Sequence, residues 1–137
     1  MKLPPVLVLH SSALNEDCQR FIVIKLGRYF SVVTYPLIAH HGLWASLSYE
    51  GIRKVFNDFL MTHRYKGAYD VCGGGEILYL SEINYPLIVV AGFSPRFGCY
   101  DAEVVENCLR QAYPKVNISV ERDIMGIRQN HRTYTVW

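Results

Sequence analysis

The seven residues Arg20–Leu26 (RFIVIKL) constrain the fold more than any other part of the chain. Most are β-branched or aromatic, and apolar side chains fall on both of the faces that a strand's alternation creates. A segment apolar on both faces reads as a central strand rather than a wetted edge. Other segments supply its neighbours. Val6–Leu9 reads as an edge strand, and Tyr29–Val33, Leu37–His40, Ile77–Leu80 and Leu87–Ala91 read as further strands. Val116, Ile118 and Val120 alternate with polar residues, as in a half-buried strand. Between them lie two helical patterns. The first runs from Ser48 to about Met61, with Ile52, Val55, Phe56, Phe59 and Leu60 on one face and Ser48 as N-cap. Gly67 is its expected stop. The second runs from Asp101, as cap, to about Ala112, burying Val105, Cys108, Leu109 and Ala112. Interleaved strands and helices predict an α/β fold: one domain, a mixed β-sheet, and helices packed on it.

No linker divides the 137 residues, so the whole of 1–137 is expected to be that single domain. Half the residues are apolar and 19% are charged, which is enough apolar material for a core and excludes a disordered chain. A net charge of +2 is too small for a nucleic-acid footprint. Cys18, Cys72, Cys99 and Cys108 form no C-x-x-C pair and have no histidine at zinc-finger spacing, so free thiols are expected. Met1–His10 lacks the pattern of a targeting segment, and no stretch has the length of a membrane span. A cytoplasmic protein with no membrane partner is the expectation. The tetrapeptide Tyr35-Pro36-Leu37-Ile38 recurs as Tyr85-Pro86-Leu87-Ile88, each followed at the same offset by a glycine, Gly42 or Gly92. This is a weak sign of an internal duplication.

Three segments carry candidate chemistry. Gly73-Gly74-Gly75 can present successive backbone N–H groups to an anion, although such a triplet is more often a turn or bulge between strands. It matches neither the Walker loop nor the dinucleotide fingerprint. His40-His41-Gly42 offers imidazole for proton exchange or phosphoryl attack near neutral pH, or two structural histidines at a strand end. Gly92-Phe93-Ser94-Pro95-Arg96-Phe97-Gly98 offers a hydroxyl and a cation before a helix N-terminus, or an ordinary solvated loop. Taken together, the three point to phosphoryl chemistry without a metal or cofactor.

The combination resembles the Janus family, whose best-known members are protein phosphohistidine phosphatases. Cys72-Gly73-Gly74-Gly75-Glu76-Ile77 is similar to that family's C-x-G-G-G-R-I segment, one residue short before the glycines. Gly92–Gly98 is similar to its G-Y-S-x-x-Y-G loop, and a helix closing on Tyr113-Pro114 follows in both. The resemblance covers roughly residues 6 to 121 and is strongest from Cys72 to Pro114. It implies His41 as the catalytic residue. It implies a phosphate held by Arg20, by backbone N–H groups around Gly42, at Gly73 to Gly75 and at Arg96, and by the Ser94 hydroxyl. The partner implied is a phosphohistidine-containing protein, with no metal, no cofactor and no nucleic acid.

The chain also departs from the family pattern. Glu76 stands where an arginine follows the glycines, Val33 stands at a basic position, Ala102 replaces a second histidine, and Arg96 occupies a small position. Residues 122–137 form a C-terminal extension, irregular in pattern and mildly basic through Arg128, His131 and Arg132, whose Tyr134 and Trp137 offer a surface to a protein partner or dock on the chain's own core. Two functions follow as expectations. One is a metal-independent phosphohistidine phosphatase acting through His41. The other is a catalytically inactive protein of the same fold, serving as a subunit of a larger assembly or as a phospho-binding module.

Overall fold

The structure, a computed structural model, describes residues 1–11, 13–81, 85–122 and 131–137. In chain order its elements are β1 (Val6–Val8), β2 (Cys18–Leu26), β3 (Tyr29–Thr34), β4 (Ile38–His40), β5 (Leu43–Ala45), α1 (Tyr49–Thr62), β6 (Gly67–Leu80), β7 (Leu87–Ala91), α2 (Ala102–Ala112), β8 (Asn117–Val120) and β9 (Arg132–Val136). The fold is a single α/β domain. Its main sheet is mixed, with strands in the order β1-β3-β2-β6-β7-β8, while β4 and β5 form a separate hairpin. β2 lies between β3 and β6, antiparallel to both. β7 and β8 run parallel and are joined through α2, a βαβ unit.

The two-faced character of β2 explains the layering. Ile22, Ile24 and Leu26 share a buried cluster with Ile52, Phe56 and Leu60 of α1. Phe21 and Val23 share the opposite cluster with Val105, Cys108 and Leu109 of α2. Alternation along one strand therefore places the two helices on opposite faces. Phe56, fully buried, meets Tyr69 edge-on with ring centroids 5.3 Å apart. Ser48 caps α1 by accepting the Gly51 N–H, and Asp101 caps α2 by accepting from Glu103 and Val104. α1 stops before Gly67, because Arg64 already takes the left-handed conformation at φ 58°. All four cysteines are free thiols. Among the described residues, no helix is long and apolar enough to cross a membrane.

The reading of the tail needs correction. The last described residues of the chain are not irregular. Arg132–Val136 forms β9, antiparallel to the Gly67–Val71 half of β6, with Val136 buried. Tyr134 stacks on Tyr69 under the Arg53 guanidinium, which lies 4.4 Å from its ring, so it packs on the chain's own core. Trp137 is exposed, and residues 123–130, with Arg128, lie outside the described residues. The Tyr-Pro-Leu-Ile repeats also serve different surroundings: Ile38 is 42% exposed on the hairpin, whereas Ile88 is fully buried in β7.

The glycine triplet lies inside one continuous strand rather than between two. β6 pairs with β2 along one side, while its other side is shared by β9 and β7, which leave Cys72–Gly75 between them. There the register slips between Ile22 and Ile24 of β2, a bulge, and Gly73 takes φ 97°. The 92–100 loop crosses at this point. A Cβ on Gly73 would lie 2.1 Å from the Cys99 carbonyl oxygen, and one on Gly75 would lie 2.8 Å from the Ala91 carbonyl oxygen. The clash and the positive φ together predict that Gly73→Ala costs about 3 kcal/mol or more. Gly27→Ala, where φ is also positive but nothing lies within 4 Å, costs about 1 kcal/mol. Urea denaturation of both variants checks this, and equal midpoints would show that the loop does not press on Gly73.

Candidate functional site

A cleft of about 310 Å³ opens where the start of β2, the exit of β5 and the middle of β6 meet. Its walls are Cys18, Gln19, Arg20, Ala45, Ser46 and Glu76. Arg20 and Glu76 are direct cross-strand partners. Arg20 is held firmly: its backbone N–H donates to Ser46 Oγ (2.8 Å), one guanidinium N–H donates to the Ser46 carbonyl (3.0 Å), and its own carbonyl accepts from Thr34 Oγ1 (2.6 Å). Gln19 is buried behind it, donating to Thr34 Oγ1 and accepting the Asn15 N–H. Glu76 is exposed, and its Oε2 lies 3.7 Å from the Cys18 thiol. Partial burial and then the Glu76 charge push that thiol above its ordinary value. The cleft therefore presents one guanidinium, one carboxylate, one hydroxyl and one protonated thiol.

Tyr49, the first residue of α1, connects the cleft to the glycine triplet. Its ring lies 5.7 Å from the Arg20 guanidinium, and its hydroxyl is shared between the carbonyls of Gly75 (3.2 Å) and Phe93 (3.3 Å). Burial, followed by the Glu76 charge, pushes the phenol up to about 12, so it stays a neutral donor. The triplet and the serine loop, separate in sequence, are packed together. Gly74 N–H donates to the Gly98 carbonyl, and a Cβ on Gly74 would come within 3.2 Å of Ser94 Cβ.

That packing uses the groups expected to hold an anion. Ser94 is fully buried, and its hydroxyl oxygen accepts the Phe97 N–H at 2.9 Å, closing its own loop. Ser94 and Gly98 exchange backbone hydrogen bonds, so the loop is a rigid bracket. Gly73, Gly74 and Gly75 are all buried. Arg96 projects from the bracket to Glu50 in the first turn of α1, with Nε 2.7 Å from Oε2. Burial alone would raise the Glu50 carboxyl, but the Arg53 hydrogen bond and the Arg53 and Arg96 charges outweigh it and hold it below the usual carboxylate range.

His41 and Gly42 form the two-residue turn of the β4–β5 hairpin, with φ of 50° and 76°, the left-handed pair that such turns require. His41 is exposed at the tip. Among the described residues of the hairpin and its exit, Ala45 and Ser46 line the cleft, after roughly 10 Å of extended strand. The structure thus brings together Gly73, Gly74, Gly75, Ser94 and Arg96, and places Arg20 beside them across Tyr49. It sets His41 and Gly42 at the far end of the hairpin.

Sequence reasoning missed Cys18, Ser46 and Tyr49. Ser46 lies two residues before the Ser48 cap, so the start of α1 was the signal that it would face the sheet edge. Nothing local marked Cys18 or Tyr49. Among the described residues, no three His, Cys, Asp or Glu side chains are grouped to hold a metal ion. If the Glu76 carboxylate governs the cleft, Glu76→Gln lowers the Cys18 pKa and raises its iodoacetamide alkylation rate several-fold at pH 8. Peptide mass spectrometry reads each cysteine separately, and an unchanged Cys18 rate would place the carboxylate out in solvent.

The chain matches no protein-family model, and no curated protein matches it significantly.

Proposed function

We propose that this chain is a non-catalytic binding subunit built on a scaffold resembling the phosphohistidine phosphatases. One observation carries the reading: among the described residues, the cleft beside the glycine bracket is walled by Cys18, Gln19, Arg20, Ala45, Ser46 and Glu76, which set a carboxylate opposite the one guanidinium and include no imidazole. Cleavage of a phosphoamidate needs a nucleophile or base that works near neutral pH, and positive or N–H groups aimed at the equatorial oxygens. The residues at hand are poorly suited to both. Serine is a weak nucleophile without an adjacent base, and the Cys18 thiol is pushed toward its protonated form by burial and by Glu76. The Glu76 carboxylate sits opposite Arg20 and opposes the charge a phosphoryl group would seek. The Ser94 hydroxyl and Arg96 are engaged in holding the bracket and α1 together.

A second reading, phosphohistidine hydrolysis through His41, is supported by the contact between the glycine triplet and the serine loop. Its two best-matching motifs meet in space, and the exposed hairpin tip gives His41 access to a protein substrate.

Phosphate release from a phosphohistidine peptide without added metal separates the two. The expected result is no turnover above buffer for the folded wild type, and none for His41→Ala. Wild-type turnover that disappears in His41→Ala would overturn the binding-subunit reading in favour of the phosphatase.

A further inference from the structure

The β4–β5 hairpin stands apart from the main sheet, and a lone two-stranded hairpin is marginal in water. This one exposes its apolar side chains: Leu43 is 72% exposed, Trp44 68% and Ile38 42%. Leu43 and Trp44 are consecutive, so they point to opposite faces and both faces are apolar. No Asp, Glu, Lys or Arg occurs from Ile38 to Ser46. Exposed tryptophan beside exposed aliphatic residues marks a surface made to be covered.

The neighbouring charges say what covers it. On the Trp44 side a cavity of about 170 Å³ is walled by Trp44, Leu37 and Asn15-Glu16-Asp17. That is smaller than a drug-sized pocket of ~300 Å³ and suits a single long side chain. Glu16 accepts at Oε1 from the backbone N–H and hydroxyl of Ser81, and Asp17 accepts at Oδ1 from Cys18 N–H. Among the described residues, neither carboxylate has an ion-pair partner. The cation nearest in sequence, Arg20, is bonded to Ser46 and lines the other cleft. An indole face beside two carboxylates is a receptor for a guanidinium, which stacks on the ring and pairs with carboxylate oxygens. The same carboxylates repel a nucleic-acid backbone.

Resting on the binding-subunit reading, we infer that the Trp44 face of the hairpin docks a basic protein segment, with an arginine of the partner on Trp44 between Glu16 and Asp17 and a neighbouring apolar residue on Leu37.

Trp44 is itself the reporter. The chain has two tryptophans, so Trp137→Phe leaves Trp44 as the sole indole. The Trp137→Phe protein is titrated with a capped hexapeptide of alternating leucine and arginine, and with its leucine–glutamate counterpart. The expected result is a saturable change in Trp44 emission with the arginine peptide and about tenfold weaker binding of the glutamate peptide. A similar loss is expected in Glu16→Gln/Asp17→Asn, with circular dichroism confirming the fold. Equal affinity for both peptides, or no emission change with either, would overturn the inference. So would a concentration-dependent emission shift accompanied by dimer mass in sedimentation, because a second copy would then be the occupant. Phosphate release reads the cleft and Trp44 emission reads the hairpin, so failure of this inference is distinguishable from failure of the reading it rests on.

Discussion

The contact between the Cys99 carbonyl and the bare Cα of Gly73 is the constraint on which the rest of this molecule depends. A 14-residue strand would ordinarily be paired along both sides, yet β6 leaves a gap between β9 and β7 at its glycines. The 92–100 loop fills that gap at a distance no side chain permits, and the loop then places the other parts. Tyr100, buried by the approach, donates its hydroxyl to the carbonyl of Glu121 and so ties the end of β8 to the loop. Phe97 enters the α1-side core beside Tyr134, and Arg96 reaches Glu50. Helix α1 and three strands thus share one point of close backbone approach.

The glycines therefore serve the packing of loop against strand. Successive N–H groups receive an anion only if they face open space, and here the Gly74 N–H is committed to Gly98 while chain presses on the Gly73 and Gly75 Cα atoms. The neighbouring cleft has the opposite balance: it is open but of mixed charge. Arg20 and Glu76 face each other across a strand pair, where opposite charges stabilise the sheet and lower the local field that would attract phosphate.

Much of the fold was legible because the signals were local and periodic. Arg20–Leu26 declared a strand covered on both faces, Leu87–Ala91 matched β7, and Asp101 fixed the start of α2. β9 was legible in principle: Thr133 and Thr135 alternate with Tyr134 and Val136, the same period-two pattern that identified β8. The basic character of the tail obscured it. The site was harder to read because it is assembled from residues far apart in the chain. Nothing near Cys18 or Ser46 states that they face Glu76, since that depends on the register of β2 against β6 and on where the hairpin rejoins α1. His41-Gly42 was identified as a notable pair, but its spacing suits a left-handed turn as well as it suits catalysis, and only the pairing of His40 with Leu43 shows the turn.

The β6–β9 pairing has a kinetic side. Asp70 and Thr133, bonded across it, are 63 residues apart, so this edge closes only after a long loop has been drawn in. Until then the Gly67–Val71 half of β6 offers unpaired backbone, and Tyr69 lacks the Tyr134 ring that stacks on it. A chain caught at that stage would present a strand edge that an identical chain can complete with its own β9. Conditions that slow closure would therefore favour exchanged dimers, and high protein concentration during refolding would favour them over the monomer.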